Sequence, residues 1–324
     1  MPAASPLVSI VLPTYRRAHL LPHAIRSVLG QTHRDLELIV VDDNSPDETP
    51  GVVRSFDDPR LRYMRNDPNL KLPRSLNRGF ALARGEYLTW TSDDNLFAPT
   101  AIEHMVARLE HGGCAFVYAD YWEFAELDGA GGPVDVTLRR LPDALQPDRG
   151  NQVGACFMYT RAVYEAVGDY DPGLFLVEDY DYWMRILRRF PACHIAEPLY
   201  YFRRDEHTLY CSRFCEVKAA DILARVKNGL LDAAGAVDAV VALLLAEPRN
   251  LKNRLLRSTY EAVRDRSYRL TLWHRAVTER YLRRALERRV HDRVERYQSG
   301  AVPFAAAKDA LAAEMQRVAT VKYF

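Results

Sequence analysis

Several features that mark other protein classes are missing from these 324 residues. No apolar run reaches the length of a transmembrane helix, and the start, Met1 to Pro6, lacks the charged and apolar regions of a signal peptide. The 44 Lys and Arg residues nearly balance 43 Asp and Glu residues, so no global charge indicates a nucleic-acid partner. We therefore expect a cytoplasmic protein that does not bind nucleic acid.

Cysteine is scarce and its spacing is uninformative. The five cysteines are odd in number and form no Cys-x-x-Cys pair: Cys114, Cys156, Cys193, Cys211 and Cys215. This usage favours a reducing compartment over a disulfide framework.

The amino-terminal half instead contains short, buried-type strands that alternate with helical patterns. Residues 7–12 and 36–41 are continuous apolar runs separated by a helical pattern over 20–29. Such an order predicts a right-handed βαβ unit with a parallel sheet. The turn after the first strand has no Gly-x-Gly-x-x-Gly sequence, so a dinucleotide fingerprint is absent.

A third strand, introduced by Gly85, ends on two adjacent acids, Asp93 and Asp94. In an open α/β sheet, ligands bind beyond the carboxyl ends of the strands. Adjacent carboxylates repel unless a cation lies between them, and their oxygens suit Mg²⁺ or Mn²⁺. Asp-Asp-Asn is also ordinary turn chemistry, and this segment alone does not decide between a metal site and a solvated turn.

Polar side chains follow two other strands at the same predicted edge. The first strand runs into Pro13, Thr14 and Tyr15, and the second into Asp42 and Asp43. A tyrosine ring offers a stacking face for a base, and an aspartate accepts the imino proton of uracil or guanine. Together with the acids after the third strand, these residues predict a nucleotide pocket beside a metal.

Several blocks in this order resemble the family 2 glycosyltransferases of GT-A fold. The blocks are Val8–Tyr15, Ser27–Thr32, Glu37–Ser45, Ala83–Tyr87 and Thr91–Asn95. The last one stands where the family has its metal-binding Asp-x-Asp motif, with adjacent aspartates as in the SpsA-like branch. The resemblance covers about the first two-thirds of the chain.

This resemblance implies roles for the side chains at the strand ends. Asp94, with Asp93 beside it, would hold Mg²⁺ or Mn²⁺ on a nucleotide diphosphate, and Arg74 would lie over the nucleotide unless it is a solvated surface arginine. The residues implied to bind the nucleotide are Pro13, Thr14, Tyr15, Asp43, Arg74 and Asp93.

A second acidic pair, Glu178 and Asp179, opens a predicted helix where the family places its catalytic base. An acid in the first turn of a helix is kept ionised by the helix dipole, so Asp179 suits proton removal from a sugar hydroxyl. The same acid could simply cap the helix. Glu178, Arg204 and His207 are further site candidates implied by the family pattern.

The last third of the chain predicts a helical domain. Between Arg249 and Tyr297 there are 15 Lys and Arg residues against six Asp and Glu residues. This basic excess suits an anionic membrane surface or an anionic acceptor, and salt-bridged helices in a bundle or homo-oligomer explain it equally well. We divide the chain into a catalytic domain, 1–214, and a helical domain, 215–324.

The overall expectation is a GT-A α/β fold, with a Rossmann-like, mixed and mostly parallel sheet flanked by helices, followed by an all-α domain. The implied activity is the metal-dependent, inverting transfer of a hexosyl or related sugar from a nucleotide-sugar, which we expect to be UDP-linked. The acceptor would be a hydroxyl group of a glycan, a lipid-linked molecule or a small molecule. The Gln-x-x-Arg-Trp motif of processive members is missing, which predicts non-processive transfer during polysaccharide biosynthesis, in the cytoplasm or at the inner face of the membrane.

Two other functions remain as alternatives. A nucleotidyltransferase shares the nucleotide-binding fold but usually begins with a glycine-rich phosphate loop, and Pro13 to Arg17 contains no glycine. A nucleotide-binding scaffold with a degenerate transferase domain would be expected to lose the acids, and all are present.

Overall fold

The computed structural model describes residues 5–205, 208, 212–246, 251–264 and 268–319, without the side chains of residues 261, 264 and 268. The chain divides into two compact units. The first comprises residues up to Gln146 and Asn151–Asp205, and the second comprises Pro147–Gly150 and the residues from Glu206 onwards. The predicted boundary between 214 and 215 differs from this division at two places, because the second unit also includes residues 206–214 and Pro147–Gly150.

The first unit alternates strands and helices as the sequence predicts. Its strands are β1 Val8–Thr14, β2 Leu36–Asp42, β3 Leu61–Arg65, β4 Tyr87–Trp90, β5 Leu96–Phe97, β6 Phe116–Phe124, β7 Thr137–Arg139, β8 Phe157–Thr160 and β9 Ala192–Arg203. Its helices are α1 Leu21–Leu29, α2 Thr49–Arg54, α3 Leu72–Phe80, α4 Ala101–Glu110, α5 Arg161–Val167 and α6 Glu178–Leu187.

The strands form one sheet in the order β3-β2-β1-β4-β8-β6-β9-β5, with β7 paired to β6. The half from β3 to β4 is parallel, and the other half is mixed. Strand β1 is buried on both faces: Ile10 and Leu12 pack in one core, and Val11 packs in the other. This two-faced burial explains why the strands read as continuous apolar runs.

Gly85 is required where β4 begins. A Cβ atom there would lie 2.6 Å from the backbone nitrogen of Ser9 and 2.7 Å from the carbonyl oxygen of Leu7. The close approach of the two backbones allows β4 to pair with β1 in parallel, Val8 opposite Tyr87. Because the two strands are parallel, the acids after β4 lie at the same sheet edge as the residues after β1.

One sequence prediction needs correction. The expectation against a disulfide framework is wrong, because Cys114 and Cys193 form a disulfide, with their Cα atoms 5.9 Å apart. Cys193 lies on β9, which pairs with β6, and this pairing brings together two cysteines 79 positions apart.

The second unit is helical. Its helices are α7 Phe214–Lys227, α8 Ala233–Ala246, α9 Arg254–Arg264, α10 Tyr268–Gln298 and α11 Phe304–Val318. Helix α10 buries an apolar residue at every fourth position, Leu282, Leu286, Val290 and Val294, each fully inaccessible to solvent. Within the described ranges, no helix is both long and apolar enough to span a bilayer.

Candidate functional site

The predicted convergence of three strand ends is present. The backbone nitrogen of Asp43 donates to the carbonyl oxygen of Thr14 over 2.9 Å, which joins the ends of β2 and β1. The Thr14 hydroxyl donates to Asp93 Oδ2 over 2.8 Å, which joins the ends of β1 and β4. Tyr15 follows with a ring that is 40% exposed at this edge. The site therefore gathers a threonine, an exposed aromatic ring and several acids.

The two acids after β4 share one cation. Arg17 Nη1 contacts Asp94 Oδ2 and lies 3.8 Å from Asp93 Oδ1. Burial, and next the neighbouring Asp94 carboxylate, raise the pKa of Asp93 to about 7, although Arg17 acts in the opposite direction. Burial likewise raises the pKa of Asp94. Two ionised carboxylates at this position therefore repel each other, and a bound cation would stabilise both of them in the ionised form.

The Asp93 and Asp94 pair fits a divalent cation. Their carboxylate oxygens are hard ligands, and Mg²⁺ is usually bound through one or two carboxylates together with substrate phosphates. In the described part of the chain, no group of three or more His, Cys, Asp and Glu side chains forms a metal cluster. The remaining ligands of an ion at this pair would thus come from a bound diphosphate and water.

Asp43 organises the loop before α3. Both of its carboxylate oxygens accept hydrogen bonds, from the backbone nitrogen of Leu70 over 2.7 Å and of Lys71 over 2.9 Å. Asn69 donates to the carbonyl oxygen of Asp43, and its own Oδ1 atom is buried without a hydrogen-bond partner among the described residues. A buried acceptor left unpaired beside the strand ends is a place where a ligand N–H group could donate.

Left-handed backbone is concentrated at the turns of this site. Of five non-glycine residues with positive φ in the described ranges, four lie within three positions of a predicted site residue: Arg16, Asn44, Lys71 and Leu176, with φ from 58° to 88°. Such conformations are costly and persist only where the surroundings hold them. Here hydrogen bonds hold them, since Arg16 N donates to Ser45 Oγ and Leu176 N donates to Glu178 Oε2.

The second acidic pair opens α6, as predicted. Asp179 is half-buried and accepts a 2.9 Å hydrogen bond from Asn151 Nδ2. Glu178 is only 5% exposed, and burial, with a contribution from Asp179, raises its pKa to about 8. Near neutral pH, Glu178 is therefore protonated, and the more exposed Asp179 is the better proton acceptor of the two. These contacts do not link Asp179 to Asp93 or Asp94.

The other candidates lie in different surroundings. Arg74 is exposed near the start of α3 and makes no hydrogen bond or ion pair with the described residues. Arg204 pairs with Glu123 on β6 through a 2.7 Å contact. His207 lies outside the described residues. The nucleotide-binding and catalytic roles of all the site residues remain predictions.

Comparison with known proteins identifies the first unit. The sequence profile described as Glycosyl transferase family 2 matches residues 9–168, a range that runs from within β1 past β8 and includes the Asp93 and Asp94 pair. Residues 9–168 are therefore a glycosyl transferase family 2 domain.

A relative of the family 2 domain is an uncharacterized glycosyltransferase of Rickettsia felis. It is 32% identical over 225 residues, which are 64% of this chain and 34% of the relative. The chain thus spans about a third of that protein's length.

Two solved structures share the fold of this chain. The mannosyltransferase PcManGT from Pyrobaculum calidifontis, in complex with GDP-Man and Mn²⁺, is 17% identical with a TM-score of 0.57, over 87% of this chain and 86% of that one. S. aureus TarS 1-349 in complex with UDP is 15% identical with a TM-score of 0.54, over 95% of this chain and 90% of that one. The predicted GT-A fold is confirmed.

Three contributors to the family 2 site were missed from the sequence. Arg17 contacts the acid pair, Asn69 presents the unpaired acceptor, and Asn151 binds Asp179. Arg17 could have been predicted as a site residue, because it follows β1 by three residues at the predicted ligand-binding edge. No feature of the local sequence distinguishes Asn69 or Asn151 from other loop residues, since both lie in polar loops.

Proposed function

We propose that this protein is a metal-dependent, inverting glycosyltransferase that moves a sugar from a UDP-sugar to a hydroxyl acceptor. The observation that carries the proposal is the Asp93 and Asp94 pair, in which Asp93 accepts a hydrogen bond from Thr14 at the end of β1 and both carboxylates offer hard oxygen ligands to a divalent cation. The structures of similar fold bound to UDP and to GDP-Man with Mn²⁺ support a nucleotide-sugar donor.

Different residues of the site would bind different parts of the nucleotide-sugar. The exposed Tyr15 ring offers a stacking face for the base, and Asn69 Oδ1 is a buried acceptor that lacks a partner among the described residues. Asp93 and Asp94 would hold the divalent ion on the diphosphate. When bound, that ion supplies Lewis-acid stabilisation of the charge that appears on the departing diphosphate.

Asp179 performs the proton transfer in this proposal. Its carboxylate removes the proton of the acceptor hydroxyl while the hydroxyl oxygen bonds to the anomeric carbon and the bond from that carbon to the diphosphate breaks. A single displacement of this kind inverts the anomeric configuration. Asn151 orients the carboxylate through its amide donor, and protonated Glu178 adds no competing charge next to it. General-base assistance of this type contributes about 10²–10⁴ in rate.

A thermal-shift screen tests this function. Nucleotide sugars with uracil, guanine or thymine bases are added with and without Mn²⁺, since a ligand that binds only the native state raises the melting temperature. We expect the largest shift with a UDP-sugar and Mn²⁺, and its loss in Asp94→Ala. A larger shift with a guanine nucleotide sugar would show that the donor is not a UDP-sugar. The absence of any shift would contradict the proposal.

A further inference from the structure

The second unit exposes large apolar side chains on neighbouring helices. Leu255 on α9 is 75% exposed, and Leu272 and Trp273 near the start of α10 are 48% and 58% exposed. The facing sides of the two helices are packed: His274 is 2% exposed, and its Nε2 lies 2.7 Å from the carbonyl oxygen of Leu256. The exposed side chains therefore lie outside the contact between the helices.

Arginines lie close in sequence to these apolar side chains on both helices. Each of five is exposed, and none forms an ion pair with the described residues: Arg254, Arg257, Arg269, Arg275 and Arg280. We call these five arginines together with Leu255, Leu272 and Trp273 the basic apolar surface. Exposed tryptophan and leucine beside unpaired cations are typical of a protein face that binds another surface.

Further along α10, three arginines are paired, whereas Arg284, Arg288 and Arg296 are exposed and form no ion pair with the described residues. Arg283 lies 2.8 Å from Asp238 and 3.1 Å from Glu279, and Arg289 and Arg293 lie 3.8 and 3.5 Å from Glu314. Ion pairing within the bundle therefore accounts for only part of the basic excess, and it leaves the basic apolar surface unexplained.

We propose that the basic apolar surface docks on an anionic lipid bilayer. Tryptophan and leucine side chains bury at the level of the headgroups, and arginines near an anionic leaflet pair with lipid phosphates. A second copy of this chain is a poorer partner, because a two-fold interface would bring the same arginines face to face. This proposal does not depend on the sugar that is transferred.

Vesicle sedimentation of the full chain tests the proposal. We expect binding to vesicles that contain phosphatidylglycerol, little binding to phosphatidylcholine alone, and weakening by salt because exposed charges are screened. The double variant Leu272→Ser/Trp273→Ser should lower the partition coefficient about tenfold or more, since burial of each side chain is lost. Arg269→Glu/Arg275→Glu should lower it by at least about fivefold for each arginine.

Matched variants separate docking from general effects. Val136 and Leu138 are exposed apolar residues of the first unit, at 44% and 41%, and Arg140 is exposed beside them. The variants Val136→Ser/Leu138→Ser and Arg140→Glu should bind vesicles as the wild type does. Trp273→Phe should still sediment with vesicles but lose the blue shift in tryptophan fluorescence that accompanies binding.

Several results would overturn the proposal. They are equal binding to neutral and anionic vesicles, unchanged binding by the Leu272 and Trp273 variant, and loss of binding in the first-unit controls. Analytical ultracentrifugation could give one further contrary result. If the wild type forms a dimer and does not bind vesicles, and if the Leu272 and Trp273 variant is a monomer, the surface binds a second copy of the chain. Melting curves of the variants confirm that each is folded.

Discussion

Replacement of Arg17 by alanine removes the one cation among the described residues that contacts the acid pair after β4. Two unit charges about 4 Å apart interact by about 4 kcal/mol at an effective dielectric constant of about 20. Removal of one partner from a buried pair typically costs about 3–5 kcal/mol. Because the Arg17 side chain is 27% exposed and the acids can take up a proton, we expect the smaller loss of about 2–3 kcal/mol in unfolding free energy without metal.

Urea unfolding in EDTA and in Mn²⁺ measures this effect. A ligand at 100 times its dissociation constant stabilises the native state by about 2.7 kcal/mol. In the wild type, Mn²⁺ must displace the guanidinium from Asp94 Oδ2, whereas in Arg17→Ala that oxygen is free of it. We therefore expect Mn²⁺ to stabilise the variant more than the wild type, so that the stability difference between them narrows.

The neighbouring residue supplies a matched control. The Arg16 guanidinium lies 5.2 Å from the centre of the Tyr15 ring and does not contact the acid pair. Arg16→Ala should respond to Mn²⁺ as the wild type does. Equal stabilisation of the wild type and Arg17→Ala by Mn²⁺ would refute the reasoning, as would an unchanged stability of Arg17→Ala in EDTA.

Three further predictions concern binding and catalysis. Asp179→Asn should abolish sugar transfer yet leave Mn²⁺-dependent UDP binding intact, as followed by product formation and calorimetry; retained turnover would exclude Asp179 as the base. In the wild type, Glu178 has a pKa of about 8 against an ordinary value of 4.5, so between these values the native state holds a proton that the unfolded chain has lost. Stability should therefore fall with rising pH in that window, by up to about 1.4 kcal/mol per pH unit, and Glu178→Gln should show a shallower fall in urea unfolding; parallel curves for the two proteins would contradict this. Tyr15→Ala should weaken UDP binding by about tenfold, since stacking of a base on an aromatic ring contributes about 1–3 kcal/mol, with little change in melting temperature; an unchanged UDP affinity would remove the stacking role.

The strands and their meeting point could be predicted because the information is local. Runs of β-branched and apolar residues such as 8–12 and 36–41 indicate strands buried on both faces. Parallel strands end at the same edge, so the polar residues that follow each run must converge. The hydrogen bond between Thr14 and Asp93 is a direct outcome of that rule.

The features that were missed depend on contacts between distant segments. The partnership of Arg17 with Asp94 joins residues 77 positions apart and depends on which way a long side chain turns. The Cys114 and Cys193 disulfide depends on the neighbouring positions of β6 and β9, which cysteine spacing does not encode. The raised pKa of Glu178 follows from burial by side chains that the local sequence does not specify.

Anomalous X-ray diffraction from crystals soaked with Mn²⁺ and UDP tests most directly whether the acid pair after β4 joins a metal ion to a nucleotide. The account predicts a manganese peak about 2.1 Å from a carboxylate oxygen of Asp94, with diphosphate oxygens in the same coordination shell. A manganese peak away from Asp93 and Asp94, or UDP bound elsewhere on the chain, would contradict it.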